Sequence, residues 1–359
     1  EFHMFGSFVS SSSSLCFLWT LVVVLLLPHA ALAFENETGS EFEILTPSSF
    51  VNATERNLNT SIFARTLNLT GIIFNDESSY TLFAPNNSAF AELPIPVQRY
   101  TISKWLIHIR YLLLSNIANG SFNTTELASK DSIVVSTGLK GTIRTDAGGT
   151  VFVGDNNAEI LFSGDFVEGN NSIVHVTNKY LVPPVLTLDI YEQLKRQSNF
   201  SRLVGMIDFA GLRNTLSDAS GRFTLFCPTN AAIEAADSIL TGLTAPQIRE
   251  ILLYHVIGSN IYMSIFTADR AYSLPTLNTG LSLVTGKINA TDGGETAYII
   301  NDATLLQRYT QGLAVNGVIY GISKVLLPPN MDLSSGFRIG GGVFATTMVV
   351  VVLLSNTIL

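Results

Sequence analysis

The sequence repeats itself once, at a spacing too long for a solenoid, and that duplication restricts the chain to two copies of one domain. Thr81-Leu82-Phe83-Ala84-Pro85-Asn86-Asn87-Ser88-Ala89-Phe90 returns as Thr224-Leu225-Phe226-Cys227-Pro228-Thr229-Asn230-Ala231-Ala232-Ile233, 143 positions on. Tyr111-Leu112-Leu113-Leu114 matches Tyr254-His255-Val256-Ile257 at the same spacing. Asn171-Ser172-Ile173-Val174-His175, running on to Pro183-Pro184, returns as Asn316-Gly317-Val318-Ile319-Tyr320 and Pro328-Pro329, 145 positions on. Three blocks in one order mean tandem domains. We place the units at 44–186 and 187–330, each of ordinary domain size.

Within each unit helical signals precede strand signals. Leu203, Met206, Ile207 and Ala210 follow helical spacing, as do Ile248, Ile251, Leu252 and His255 after Thr244 and Pro246, which suit a helix start. Short apolar runs then read as strands: Leu281–Val284, Tyr298–Ile300 and Val318–Ile322 in the second unit, and Val151–Val153, Ile160–Phe162 and Ile173–Val176 in the first. Leu82, Phe83, Leu225 and Phe226 read as core strand residues, with Pro85 and Pro228 turning the chain into a helix cap. Alternation puts Val318 and Tyr320 on one face and Ile319 on the other. Helices grouped before strands predict an α+β fold, helices on one side of a largely antiparallel sheet.

Both ends point to export. Residues 1–3 precede Met4 and read as a cloning remnant. Residues 4–33 read as a signal peptide, apolar from Leu15 to Leu27, broken at Pro28 and ending in Ala31-Leu32-Ala33. At the other end Ser334-Ser335 supplies small residues before a short spacer and the apolar stretch Val343 to Leu359. Residues 336–359 are therefore expected to be a lipid-anchor (GPI) signal, with a single spanning helix as the rival. The apolar stretch reaches only about 26 Å as a helix, short of a hydrocarbon core of about 30 Å. Either reading sends the protein through the ER to the outer face of the plasma membrane or the cell wall. Asn-x-Ser/Thr sequons occur at Asn36, Asn52, Asn59, Asn68, Asn86, Asn119, Asn123, Asn170, Asn199 and Asn289. Most lie in the first half, so protein contacts are expected to favour the less sugar-coated second unit.

The chemistry is sparse. Twenty basic against 28 acidic residues give a net charge of −8, which disfavours nucleic acid. Cys227 is alone once Cys16 leaves with the pre-sequence, and it aligns with Ala84, which suits a small core side chain. His108, His175 and His255 have no metal-binding spacing, so no metal and no cofactor are expected. Asp155-Asn156-Asn157 with Glu159 lacks the glycine and distal glutamate of a calcium loop and reads as a turn. No nucleophile elbow, phosphate loop or zinc-protease motif is present, and the chain is not expected to be an enzyme.

The repeated blocks resemble the fasciclin (FAS1) family over about residues 44–330. Thr81–Asn87 and Thr224–Asn230 are similar to the family's first motif, Thr-Leu-Phe-Ala-Pro-Thr-Asn. Tyr254-His255 resembles its Tyr-His motif. Asn316-Gly317-Val318-Ile319-Tyr320 through Pro328 is similar to its second motif, Asn-Gly-Val-Ile-His-Val-Ile-Asp-Lys-Val-Leu-Leu-Pro. Lys179 and Lys324 fall at matching points and are expected as solvated strand residues. The resemblance implies two tandem domains, each a β-wedge with helices packed on it. It also implies adhesion or matrix attachment, with matrix, glycan or a cell-surface protein, a second copy included, as partner. A carrier of lipid or another hydrophobic ligand, held between helices and sheet, is the alternative. Leu112 stands where the second unit has His255, and Tyr320 where the first has His175, so each copy departs from the pattern. The resemblance makes Tyr254 and His255 the leading contact residues. His255 also completes an apolar helical stripe and reads more strongly as a hydrogen-bonded core residue than as a contact. Asn301-Asp302, at a strand-end turn, is the second candidate, against the favoured reading of a solvated turn. Long Ala-Pro or Ser-Pro tracts and Arg-Gly-Asp are absent from the sequence.

Overall fold

A computed structural model describes residues 58–331, apart from 73, 75–77, 99, 101, 168–170, 289–295, 310, 311 and 330. The pre-sequence, Asn36, Asn52, Asn170, Asn289, Ser334, Ser335 and the tail 336–359 lie outside the described residues.

The first unit carries strands β1 (Tyr80–Pro85), β2 (Ile117–Asn119), β3 (Ser132–Val134), β4 (Lys140–Thr145), β5 (Val151–Val153), β6 (Ala158–Val167) and β7 (Ser172–Thr177). They form one sheet in the order β2-β1-β7-β6-β5-β4-β3, and a bridge between Ala118 and Val135 brings the two ends together. The second unit carries β8 (Phe223–Pro228), β9 (Val256–Ile257), β10 (Ser273–Pro275), β11 (Ser282–Ile288), β12 (Ala297–Ile300), β13 (Ala303–Thr304), β14 (Gly312–Ala314) and β15 (Gly317–Ile322). These make two sheets, β10-β11-β12-β13 and β14-β15-β8-β9. Bridges Ile257–Thr276 and Leu305–Ile322 join them into the same closed wedge. The two units differ at one strand. β6 runs unbroken beside β7, whereas its counterpart is split into β13 and β14 by the single turn Gln307–Tyr309.

At the centre of each wedge two strands run parallel, β1 with β7 and β8 with β15; the other pairings are antiparallel. Both central strands are buried on both faces, which explains their near-continuous apolar runs. Leu82 and Ala84 face a helix-side core with Phe63, Leu67, Ile109 and Leu113. Phe83 faces the wedge interior with Ala118, Leu127, Ile143 and Val153. The second unit repeats this: Leu225, Cys227 and Ile319 join the helix-side core, and Phe226, Val318 and Tyr320 the interior. The alternation expected of Val318, Ile319 and Tyr320 is the one observed. Lys179 and Lys324 are a correction, because both lie beyond their strands, which end at Thr177 and Ile322.

The longest helices among the described residues pack on the outer faces: α1 (Ser61–Thr70), α2 (Ile102–Leu114), α3 (Ser201–Phe209) and α4 (Ala245–Tyr254). α4 starts at Thr244 in a capping box with Gln247, with a proline in its first turn. After β1 and β8, Asn86 and Thr229 cap the next short helix, each accepting from the backbone N–H three residues on. Asn87 and Asn230 then tie that turn to the start of α1 and α3.

Phe226 stacks on Tyr320 at 5.7 Å and meets Phe266 edge-on at 6.3 Å, with no exposed surface. Phe226→Ala is expected to cost about 3–5 kcal/mol in urea denaturation of the full chain. A cost under about 1 kcal/mol would contradict this placement.

Candidate functional site

α4 delivers Tyr254 and His255 to opposite sides of its C-terminus. Tyr254 is buried in the wedge interior. Its hydroxyl accepts from Asn301 Nδ2 at 3.0 Å and donates to the Ser282 carbonyl at 3.3 Å. Asn301 sits between β12 and β13 in the left-handed region at φ 50°, a conformation asparagine tolerates better than most residues. Its backbone N–H reaches Val284 O and its Oδ1 accepts from Val284 N, both at 2.8 Å. One side chain thus clamps the turn to β11 and to the end of α4. Asp302, next along, is exposed and accepts from Lys324 Nζ at 3.1 Å. A pair this exposed contributes at most about 1 kcal/mol. Val284 and Ile288 are 47% and 57% exposed and share one face of β11, and Val284 is the residue that Asn301 binds.

His255 points inward and is wholly buried. Its Nδ1 lies 2.8 Å from Ile251 O, and its Nε2 lies 3.0 Å from Leu326 N. Nδ1 must therefore donate and Nε2 accept, which fixes a neutral tautomer. Burial pushes its pKa down to about 4. A partner cannot touch it; it ties α4 to the segment after β15. Of the four sequence candidates, the structure joins Tyr254 to Asn301, sets Asp302 beside them on the surface, and turns His255 into the core.

The internal alignment around His255 needs correction. Phe83 N donates to Asn116 O in the first unit, and Phe226 N donates to His255 O in the second. The counterpart of His255 is therefore Asn116, not Leu112. α2 runs further before its strand, which constant spacing hides. Asn116 does the same work: Nδ2 donates to Leu112 O and Leu181 O, and Oδ1 accepts from Leu181 N. The other departure is a like-for-like exchange of role. Tyr320 OH donates to Ile261 O and stacks on Phe226, while His175 Nε2 lies 2.8 Å from Phe122 O and stacks on Phe83.

His108 is the residue that sequence reasoning missed. It rises from α2 into the second unit and is completely buried. Its Nε2 lies 3.0 Å from both Ala314 O and Gly317 O, and its Nδ1 lies 3.0 Å from the Tyr262 hydroxyl. Nε2 therefore donates to two carbonyls and Nδ1 accepts from the tyrosine. Burial lowers its pKa to about 4. Tyr100 OH donates to Val315 O at 2.8 Å, and Val315 packs into the first unit's core. Gly317 admits no side chain, since a Cβ there would stand 2.0 Å from Phe223 O. No local signal announces it, because its partners lie 154 to 209 residues away in the chain.

The remaining candidates are structural. Asp155, Asn156, Asn157 and Glu159 accept or donate within the β5–β6 turn and to its neighbours. Among the described residues no group of three or more His, Cys, Asp or Glu could hold a metal ion. Cys227 is buried, and its thiol pKa is pushed up by burial. No described helix is long and apolar enough to cross a membrane.

Asn59, Asn68, Asn119, Asn123 and Asn199 are exposed, and Asn86 is half-buried. Asn86 and Asn123 cap helices through Oδ1. The Asn199 amide nitrogen donates to the Tyr309 hydroxyl.

The buried histidines set a pH dependence. An unfolded chain protonates them near 6.5, whereas His108 and His255 resist until about 4 and His175 is lowered in the same direction. Between those limits the unfolded state binds more protons. Stability is therefore full above about 6.5 and is lost as pH falls toward about 4, by up to about 3 kcal/mol for each fully buried imidazole. Urea midpoints should drop over that window, and His255→Gln should flatten the drop. A pH-independent midpoint between 7 and 4 would contradict it.

The fasciclin domain model matches residues 50–183 and 198–328. The rabbit (Oryctolagus cuniculus) transforming growth factor-beta-induced protein ig-h3 is 27% identical over 270 residues, covering 74% of this chain and 37% of that protein. Human periostin is 23% identical over 264 residues, 72% of this chain and 28% of its own length. The chain thus spans about a third of the length of these relatives. Protein sll1483 of Synechocystis is 31% identical over 147 residues, 40% of this chain and 74% of its own. A solved FAS1 domain pair from the insect cell adhesion molecule fasciclin I covers 77% of this chain and 98% of its own, at 19% identity and a TM-score of 0.39. With both halves matched, the chain belongs to the fasciclin domain family as a tandem pair of α+β wedges.

Proposed function

We propose that this protein is a cell-surface or matrix-attachment glycoprotein that works by binding rather than catalysis, through its paired fasciclin domains. Membership of a family that includes a domain pair from a cell adhesion molecule supports this reading. The observation that carries the site is the Tyr254–Asn301 clamp, which ties the turn carrying Asp302 to β11 at Val284, with Lys324 paired to Asp302 on the surface. A charged pair near an exposed valine suits contact with a protein or glycan partner. The partner is matrix or another cell's surface, a second copy of this chain included. The export route, the anchor at Ser334 or Ser335, and sugars concentrated on the first unit complete the proposal. They leave the second unit as the contact side.

Beads coated with the full chain are the test. Asp302→Lys and Val284→Glu should each reduce aggregation or matrix attachment at least about tenfold, the effect of removing a central contact. An equal loss from matching changes on the first unit's exposed strand face would refute the asymmetry. Phosphatidylinositol-specific phospholipase should release the surface-displayed protein, and retention on the cell would favour a spanning helix.

The carrier reading has one observation in its favour. A groove of about 330 Å³ on the helical face of the second unit is lined by Met206, Phe209, Ile233, Leu240, Leu243 and Ile248. Phe209 is 59% exposed at its edge. Native mass spectrometry of the secreted protein would show a stoichiometric small molecule on this reading and none on the adhesion reading.

A further inference from the structure

We propose that the seam between the two units is a binding site for an acidic saccharide, whose carboxylate or sulfate group lies between Lys104 of the first unit and Arg222 of the second. This site is separate from the Asp302 surface and does not depend on the adhesion reading. A cleft of about 370 Å³ opens there, walled by Pro96, Lys104 and Trp105 on one side and by Ser220, Gly221 and Arg222 on the other.

Charge is the first argument. The chain is acidic overall, at −8, yet this cleft presents two cations. Neither belongs to any of the ion pairs among the described residues. Asp218, close by in the chain, has its Oδ1 turned onto Ser220, accepting from its backbone N at 2.8 Å and its hydroxyl at 2.7 Å.

An unmet donor is the second argument. Arg222 Nε is buried with no hydrogen-bond partner. A buried donor left unpaired costs about 1–3 kcal/mol, which an oxyanion seated in the cleft would recover. Guanidinium suits this role because its planar fork matches a carboxylate or sulfate edge.

Shape and rigidity complete the case. The volume sits at the low end for ligand clefts and holds one sugar ring. Pro96 and Trp105 give the apolar wall on which a ring's C–H face packs. Trp105 is fixed by stacking on Tyr100 at 4.4 Å and by meeting His108 edge-on at 4.8 Å. The Lys104 carbonyl accepts from Asn260 Nδ2 at 3.1 Å, which fixes the backbone that carries this side chain. The Trp105 ring and the backbone carrying Lys104 are thus set before any ligand arrives, which lowers the cost of binding.

Trp19 falls in the expected signal peptide, so Trp105 is the one tryptophan of the exported chain and its fluorescence reports on the cleft, with calorimetry in parallel. The probes are glucuronate, glucose 6-sulfate, glucose, inorganic sulfate and tetraglutamate. Glucuronate or glucose 6-sulfate should bind saturably and more tightly than inorganic sulfate, and whichever binds better identifies the source of the oxyanion. Glucose should not bind. Arg222→Gln should weaken binding at least tenfold. Lys104→Gln, at an exposed position that leaves the fold intact, should weaken it at least threefold. The proposal is overturned if neither acidic sugar binds, or if glucose or inorganic sulfate binds as well as they do. It is also overturned if tetraglutamate binds more tightly, or if the Lys104 variant binds like the parent.

Discussion

Everything in this molecule hangs on the parallel strand pair at the centre of each unit. β1 with β7, and β8 with β15, lie between two cores at once, helix side and wedge interior. A strand buried on both faces cannot shift by one residue without exchanging its two sets of side chains. Phe83 and Phe226 must look into the wedge, and Leu82 and Leu225 toward the helices. The rest of each sheet grows outward from that pair, and the ends of the ring are brought together by bridges. Antiparallel ladders, capped helices and turns are then set by where the central pair leaves the chain.

The sequence carried the fold because the central strands are long apolar runs and occur twice. The caps were readable for a local reason, since Thr244, Pro246 and Gln247 lie next to one another. What was not readable depended on bonds between distant segments. Constant spacing aligned Leu112 with His255, whereas the backbone bond to Phe83 identifies Asn116. Helix length shifts by a few residues without disturbing the flanking motifs, so spacing alone misplaces whatever lies just past a helix end. The Tyr254–Asn301 clamp joins residues 47 apart, and nothing in either local pattern announces the other. Asp302 and Lys324 come together only because β12, β13 and β15 meet at one corner.

Substitution between the copies is informative for the same reason. Asn116 and His255 differ in shape, yet both bind a helix carbonyl on one side and the backbone of Leu181 or Leu326 on the other. His175 and Tyr320 each reach a loop carbonyl while stacking on a phenylalanine. The family pattern at these places therefore specifies a hydrogen-bonding task inside the core. Contact with the outside falls to the turns that the core holds still. His108 is different, since all three of its hydrogen-bond partners lie across the seam. It makes the pair of domains one packed body.

The last strand of the second unit has a mechanical meaning. β15 is held by β14 on one side and by β8 on the other, with six residues in parallel register along β8. A tug along its axis from the C-terminal end loads those rungs together, in shear, instead of parting them one by one. His108 and Tyr100 of the neighbouring unit grip the residues just before and at the start of that strand. A tensile load entering there passes straight into the first unit, so the two domains resist traction as a single link.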